Sequence, residues 1–251
     1  MRIFAIGDLH LSFGVANKSM SVFGPRWEGH FERIAHNWKS KIHPDDLVLI
    51  PGDISWAMRI EEVIPDLQWI DALPGTKVMI KGNHDYWWGS LKKIAEVLPP
   101  SIHLVQNNAF HWKDVSIGGA RLWDTPEYSF AEYVEFQENP REKKPTDPEE
   151  LVQEEFSEKI FNRELERLNN SLRLLNKDAK IRIAMTHYPP IGAKMESSRA
   201  SQIMEKYNVQ VSVFGHLHNL FPNRLHFGEK KGVRYLLTSC DFLDFSPIQI
   251  F

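Results

Sequence analysis

Two histidines stand two residues apart in Phe214-Gly215-His216-Leu217-His218, directly after the apolar run Val209 to Val213. Asp8 and His10 repeat that spacing after Ile3 to Ile6. Side chains at i and i+2 of a strand point the same way, so each pair can converge on one point just past a strand end. Three more apolar runs stop at residues of the same chemical kind. Leu47 to Ile50 leads into Gly52-Asp53, Val78 to Ile80 into Gly82-Asn83-His84-Asp85, and Ile181 to Met185 into Thr186-His187. A single Asp-x-His or His-x-His is more often a solvated loop group than a ligand pair; five strand ends of this kind reverse the odds. The candidates are Asp8, His10, Asp53, Asn83, His187, His216 and His218, which supply carboxylates, a carboxamide and imidazoles but no thiolate. One tetrahedral zinc cannot use them all. Two five- or six-coordinate cations about 3.5 to 4 Å apart, sharing one bridging carboxylate, can. Nitrogen and oxygen donors without sulfur suit manganese or iron and tolerate zinc, nickel or cobalt.

The elements that must hold these residues are short. The five apolar runs read as buried strands, and helical periods lie between them: Trp27, Phe31, Ile34, Ala35 and Trp38 share one face, as do Val63, Ile64, Leu67 and Ile70, and Leu91, Ile94, Ala95 and Leu98. Alternating strands and helices imply an α/β core, and the carboxyl ends of strands in such sheets form the crevice where ligands bind. Glycines at 7, 52, 82 and 215 permit tight turns there. Ile102 to Val105, Phe110 to Trp112, Val115 to Ile117 and Arg234 to Thr238 come with short turns, which predicts a second, more antiparallel sheet. From about 125 to 178 the chain is rich in charge and proline and reads as a charged helical insertion in one domain spanning 1–251. Within it, Asp147-Pro148-Glu149-Glu150 predicts a helix start, and Val152, Phe156, Ile160, Leu165, Leu168, Leu172 and Leu175 give an apolar stripe that predicts packing on the body.

Charge and composition exclude several classes. With 30 basic and 33 acidic side chains, the net charge of -3 offers little to a nucleic-acid backbone. Cys240 is the lone cysteine, so neither an internal disulfide framework nor a Cys-rich zinc site is available, and a reducing, cytoplasmic setting is expected. No apolar run approaches the roughly 20 residues that span a bilayer, so no membrane role is expected.

The order Asp-x-His, Gly-Asp, Gly-Asn-His-Asp, His, Gly-His-x-His strongly resembles the calcineurin-like metallophosphoesterase superfamily, with five blocks in sequence between Asp8 and His218. The resemblance implies a four-layered α/β/β/α sandwich of two mixed sheets flanked by helices, of the metallo-dependent phosphatase type. It also implies that Asp8, His10 and His218 hold one metal, Asn83, His187 and His216 the other, and that Asp53 bridges. His84 is then the catalytic histidine, with Asn83 assisting. The implied chemistry is attack of a metal-bridging hydroxide on the phosphorus of a small phosphodiester or phosphomonoester, with His84 protonating the leaving alkoxide. A nuclease of the same superfamily and a non-catalytic metal-binding scaffold are the alternatives; the retained ligands and His84 speak against the scaffold. The number of subunits is left open.

Departures from subgroup patterns narrow the substrate. Trp56 stands where purple acid phosphatases carry a metal-ligating tyrosine, and indole cannot ligate. "GDISWAM" and "GNHD" replace the strings typical of Ser/Thr protein phosphatases. Tyr86 and Trp87 are candidates for an aromatic wall, although a core role competes, and Arg121 for a phosphate contact, although an ordinary salt bridge competes. Asp85 either accepts a hydrogen bond beside the imidazoles or caps the next helix. His30, His36, His43, His103, His111 and His226 match no motif and read as structural. If the segment from Pro126 to Pro145 covers the crevice, it is a lid that selects substrate.

Overall fold

Strands that are apolar on both faces need cover on both sides, and that requirement sets the layering. In a computed structural model of the 251-residue chain, residues 2–135, 150–221 and 223–251 are described, without the side chains of 150–156. The predicted helix start at Asp147 to Glu150, the stripe positions Val152 and Phe156, and 136–149 of the predicted insertion lie outside that description. In chain order the elements are β1 (Ile3–Ala5), α1 (His30–Lys41), β2 (Leu47–Ile50), α2 (Ile60–Asp71), β3 (Thr76–Met79), α3 (Leu91–Ala95), β4 (Ile102–Leu104) and β5 (Phe110–Trp112). They continue with β6 (Val115–Ala120), α4 (Glu150–Leu172), β7 (Ile181–Thr186), α5 (Arg199–Lys206), β8 (Val211–Phe214), β9 (Glu229–Lys230), β10 (Val233–Leu237) and β11 (Ile248–Gln249).

One sheet has the order β11-β1-β2-β3-β4, the other β5-β6-β7-β8-β10-β9. Alternate residues of both sheets meet in an inner core: Ile3 and Ala5, Leu47 and Leu49, Val115 and Ile117, Ile183 and Met185, Val211 and Val213. The opposite faces take the helices. Phe4, Val48, Ile50 and Met79 share a cluster with Ile34 and Trp38 of α1, Leu67 of α2 and Ile94 of α3. Ala184, Phe214 and Tyr235 pack with Phe161, Leu168 and Leu172 of α4 and Met204 of α5. The result is the α/β/β/α sandwich.

Two expectations are corrected. The second sheet is not mainly antiparallel: β6, β7, β8 and β10 run parallel, and only the edge strands β5 and β9 are antiparallel. Ile102–Leu104 belongs to the first sheet, parallel to β3. The physical reason is α4. Parallel neighbours need a long crossover, and α4 lies within the β6-to-β7 connection. Its C-terminal turns are therefore core rather than excursion, with Phe161, Leu168 and Leu172 inaccessible to solvent. The predicted packing of the stripe on the body is what the described positions show; truncating Leu172 would cost about 2–5 kcal/mol. Among the described residues no helix is long and apolar enough to cross a membrane.

Candidate metal centre

The five motifs meet at the carboxyl ends of β1, β2, β3, β7 and β8, but strand alternation is not what aims them. β1 ends at Ala5 and β8 at Phe214, and the residues beyond turn sharply. Asp8 (φ 55°), His10 (φ 46°), Asp53 (φ 50°) and His216 (φ 72°) all adopt left-handed backbone. That region is uncommon for residues other than glycine, and it concentrates where surrounding structure over-determines a functional geometry. Bare glycines make room: a Cβ on Gly82 would lie 2.0 Å from Asp53 Oδ1, and one on Gly215 2.2 Å from Asp8 Oδ2.

Two donor groups result, Asp8 with His10 and His218, and Asp8 with Asp53 and His187. His218 Nε2 lies 3.5 Å from Asp8 Oδ1 and 3.2 Å from His10 Nε2. Asp53 spans the two groups, with Oδ1 3.5 Å from His187 Nε2 and Oδ2 3.9 Å from His10 Nε2. Asn83 Oδ1 joins the His187 side, 2.6 Å from His187 Nε2 and 3.1 Å from His216 Nδ1. The predicted ligands are thus together, and His216 and His218 face different neighbours.

The outer hydrogen bonds fix which ring nitrogens point inward. His187 Nδ1 lies 3.0 Å from the Pro51 carbonyl, which can only accept, so Nδ1 carries the proton. The remaining Nε2 lone pair then points at the Asn83 oxygen, another acceptor. Likewise His218 Nδ1 donates to Asp241 Oδ1 at 2.8 Å, and its Nε2 faces Asp8 and His10. Lone pairs aimed at lone pairs repel unless a cation lies against both, and imidazoles oriented by an outer carboxylate or carbonyl are the usual arrangement around metals.

Charge says the same. Burial, then the neighbouring Asp8, pushes Asp53 up to about 8. Burial holds His187 below the usual imidazole range and His10 and His216 well below it, with His218 adding to the effect on His10 and His187 to that on His216. For Asp8, burial acts upward but hydrogen bonding and charge from His218 outweigh it, and the carboxyl lies below its usual range. His218 shows the reverse balance: burial acts downward, Asp241 more than compensates, and the ring is held well above the usual range. Three neutral imidazoles, and a carboxyl and a fourth imidazole that give up their protons when a cation arrives, are a donor set fitted to divalent cations.

Asp241 was not anticipated. It follows β10 in Ser239-Cys240-Asp241, a sixth strand end with an acid, and that placement was the available signal. Asp85 does not cap the next helix, whose N-cap is Ser90; it accepts hydrogen bonds behind the ligand loops, from backbone and Trp87 rather than from an imidazole. Its Oδ1 accepts from Ile54 N (2.9 Å), Ser55 N (3.1 Å) and Trp87 Nε1 (3.1 Å), and Oδ2 from Gly82 N (2.7 Å), tying the Asp53 loop to the Asn83 loop. Burial, followed by the charge of Asp53, pushes Asp85 up to about 6.

The substrate-contact candidates separate. Trp87 is buried and spent on Asp85, so it is core rather than wall. Tyr86 is exposed, its ring 6.2 Å from that of His84. Arg121 pairs with Glu164 and lies over Trp123, and it lines a cavity that none of the seven ligand candidates borders. Instead, a cavity of about 390 Å³ at the cluster is walled by Met20, Phe23, Trp27 and Trp56 beside His10, Asp53, His84, His216 and His218. Trp56 stacks on His10 at 5.1 Å and lies 4.5 Å from His84. A second cavity, about 630 Å³, meets the cluster at His216 and carries Trp123, Tyr128, Phe130 and Tyr188. Of the six histidines without a motif, His30 is buried and bonds the carbonyls of Trp27 and Leu9, a structural role.

Four layers with a carboxylate-imidazole cluster at the strand ends define the class as an α/β sandwich with a candidate metal centre. The calcineurin-like phosphoesterase profile matches residues 1–220, and the chain belongs to that family. It is a phosphoesterase, and its donor groups are those of a metal-dependent one. Among solved structures, the chain is similar to phosphopantetheinyl hydrolase of Mycobacterium tuberculosis, at 14% identity over 100% of this chain and 95% of that one, TM-score 0.50. A calcineurin-like phosphoesterase of Bacillus subtilis shares 15% identity over 96% and 82%, TM-score 0.49. These likenesses concern the fold. No curated protein matches the chain.

Proposed function

We propose that the chain hydrolyses a small phosphodiester or phosphomonoester at a dinuclear centre, with Asp8, His10 and His218 on one cation, Asn83, His187 and His216 on the other, and Asp53 between. The observation that carries this reading is Asp53, whose two oxygens face the two donor groups separately, at 3.5 Å from His187 Nε2 and 3.9 Å from His10 Nε2. When bound, two such cations supply an activated water and neutralise charge on the phosphoryl oxygens. Oxygen and nitrogen donors favour manganese or iron, with zinc, nickel and cobalt tolerated.

The chain's own part is positioning. His84 N donates to Asp53 Oδ1 at 2.9 Å, which locks the catalytic loop to the bridging carboxylate. Its ring borders the cluster cavity, and Nδ1 is buried without a hydrogen-bond partner among the described residues. Burial, then the charge of His187, pushes His84 down to about 4, so the free protein holds it neutral. A neutral ring presents one N–H to a phosphoryl or leaving-group oxygen; the negative charge of bound substrate raises its basicity, so that the ring takes up a proton from solvent and, as imidazolium, hands it to the leaving alkoxide. The aromatic walls exclude water and suit a flat or apolar substituent on the ester. The deciding experiment is manganese-dependent turnover of bis-p-nitrophenyl phosphate and p-nitrophenyl phosphate, with metal content measured alongside. Turnover with close to two metals per chain is expected; turnover unaffected by removing metal overturns the reading.

A further inference from the structure

A cavity of about 370 Å³ opens where β3, β4 and β6 end, and none of the seven ligand candidates lines it. Its charge is unbalanced. Lys81, Arg121, Arg163 and Arg167 line it, with Glu164 as the one carboxylate among the described lining residues. Glu164 is almost wholly buried and shared: its Oε1 lies 2.6 Å from Arg167 Nη1, 3.5 Å from Arg121 Nη2 and 3.9 Å from Arg163 Nε. Lys81 Nζ bonds the carbonyl of Trp88 at 3.2 Å, an uncharged partner. Four positive groups against one negative leave a formal excess of three.

A simple anchor between α4 and β6 would need only Arg121 and Glu164. The extra cations are not explained by it, and holding like charges together in a part-buried space is costly without a counter-charge. Arg121 is only 15% exposed, and its Nε is buried with no hydrogen-bond acceptor among the described residues. Guanidinium forks match the oxygens of phosphate and bind it with charge-assisted hydrogen bonds. The volume falls within the range of small-molecule sites.

We propose that this cavity binds a phosphate-type anion, as a second site separate from the metal cluster. Its walls continue into two of the loops that carry ligand candidates. Lys81 and Trp88 close the loop holding Asn83 and His84, and the Arg121 carbonyl receives the N–H of His187 at 3.1 Å and of Tyr188 at 2.9 Å. The anion comes either from a phosphate on the non-reacting part of the substrate or from free phosphate in solution.

The test titrates inorganic phosphate at low salt into the metal-loaded protein, the chelator-treated protein, and the double variant Arg163→Ala/Arg167→Ala. Both arginines are half exposed, so the variant should fold, which a thermal melt checks; Arg163→Gln/Arg167→Gln serves if it does not. Binding should persist in chelator-treated wild type and weaken at least about tenfold in either variant, while metal content is unchanged. Added phosphate then separates the sources in steady-state turnover of bis-p-nitrophenyl phosphate. Variant-sensitive competitive inhibition marks a substrate phosphate, and a variant-sensitive change in kcat marks a free anion. Chelator-treated protein that binds no phosphate, or variants that bind it as wild type does, overturns the proposal. Because the chelated protein is read by binding alone, failure here is distinguishable from failure of the dinuclear reading.

Discussion

At the metal cluster, buried carboxylates and imidazoles converge, and His218 alone of the rings is held well above the usual range; at the cavity beside Arg121, three arginines share the buried Glu164 with Lys81 beside them. Both lie at strand ends of the same sandwich, and they are built differently. Asp8, His10, Asp53 and His216 adopt left-handed backbone, while Pro51 orients His187, Asp241 orients His218 and Asp85 braces the loop after Asp53. Arg163, Glu164 and Arg167 need only the regular spacing of α4, where residues three and four apart share a face. A strained, cross-braced cluster fixes donor directions to a fraction of an ångström, as coordination requires. A helix face presenting long side chains fixes charge but not geometry, which suits an anion held by several interchangeable donors. Loss of one residue should therefore be severe at the cluster and graded at the cavity.

The sharpest break in that comparison comes from His84, which borders the cluster without being one of its donors. His84→Ala should lower kcat by about 10²–10⁴-fold with two metals retained, measured by turnover of bis-p-nitrophenyl phosphate against metal content. A metal-saturated variant with wild-type kcat would remove His84 from the chemistry.

A smaller effect probes the bracing itself. Asp241→Ala leaves every donor in place but frees the His218 ring, whose Nδ1 the carboxylate holds at 2.8 Å. Metal affinity should fall about 10–100-fold by calorimetry. The Arg163→Ala/Arg167→Ala variant should show no such fall. If it lost metal equally, the two sites would not be independent, and the contrast drawn above would fail.

How much of this was legible beforehand follows the same division. The donors could be read because Asp-x-His and His-x-His after apolar runs are local patterns, and their convergence followed from ending at the same edge of an α/β sheet. The reason for convergence could not. Left-handed backbone at Asp8 and His216 is imposed by Gly52, Pro51 and neighbouring strands, contacts of long sequence separation. Asp241 escaped because a lone acid after β10 has no paired donor beside it. The walls from Trp27, Trp56 and Tyr188 escaped because aromatic residues at such places read equally well as core. The second sheet was misjudged for one reason: the helix within its parallel crossover was read as an insertion, and without α4 the short strands around it look like hairpins.

The last contrast is in protons, and it lies in where they come from. Without metal, Asp53 is raised to about 8 and is largely protonated at pH 7; His218 is held well above its usual range and is protonated too. Coordination needs Asp53 as carboxylate and the His218 Nε2 as a free lone pair, so metal loading must expel both protons. As pH falls below 8, proton uptake competes and apparent metal affinity should drop by at least about tenfold per unit; above 8 the contribution from Asp53 levels off. Calorimetry at pH 7 in two buffers of different ionisation enthalpy should show about two protons released per chain, and about one in Asp53→Asn. Phosphate binding at the Arg121 cavity also strengthens as pH rises, because the anion gains negative charge while the guanidinium groups stay charged, but any proton released there comes from the anion and none need leave the protein. Metal loading that released no protons would mean that Asp53 and His218 are not ligands that start out protonated, the one through burial and the other through Asp241, and the cluster would lose the feature that most separates it from its cationic neighbour.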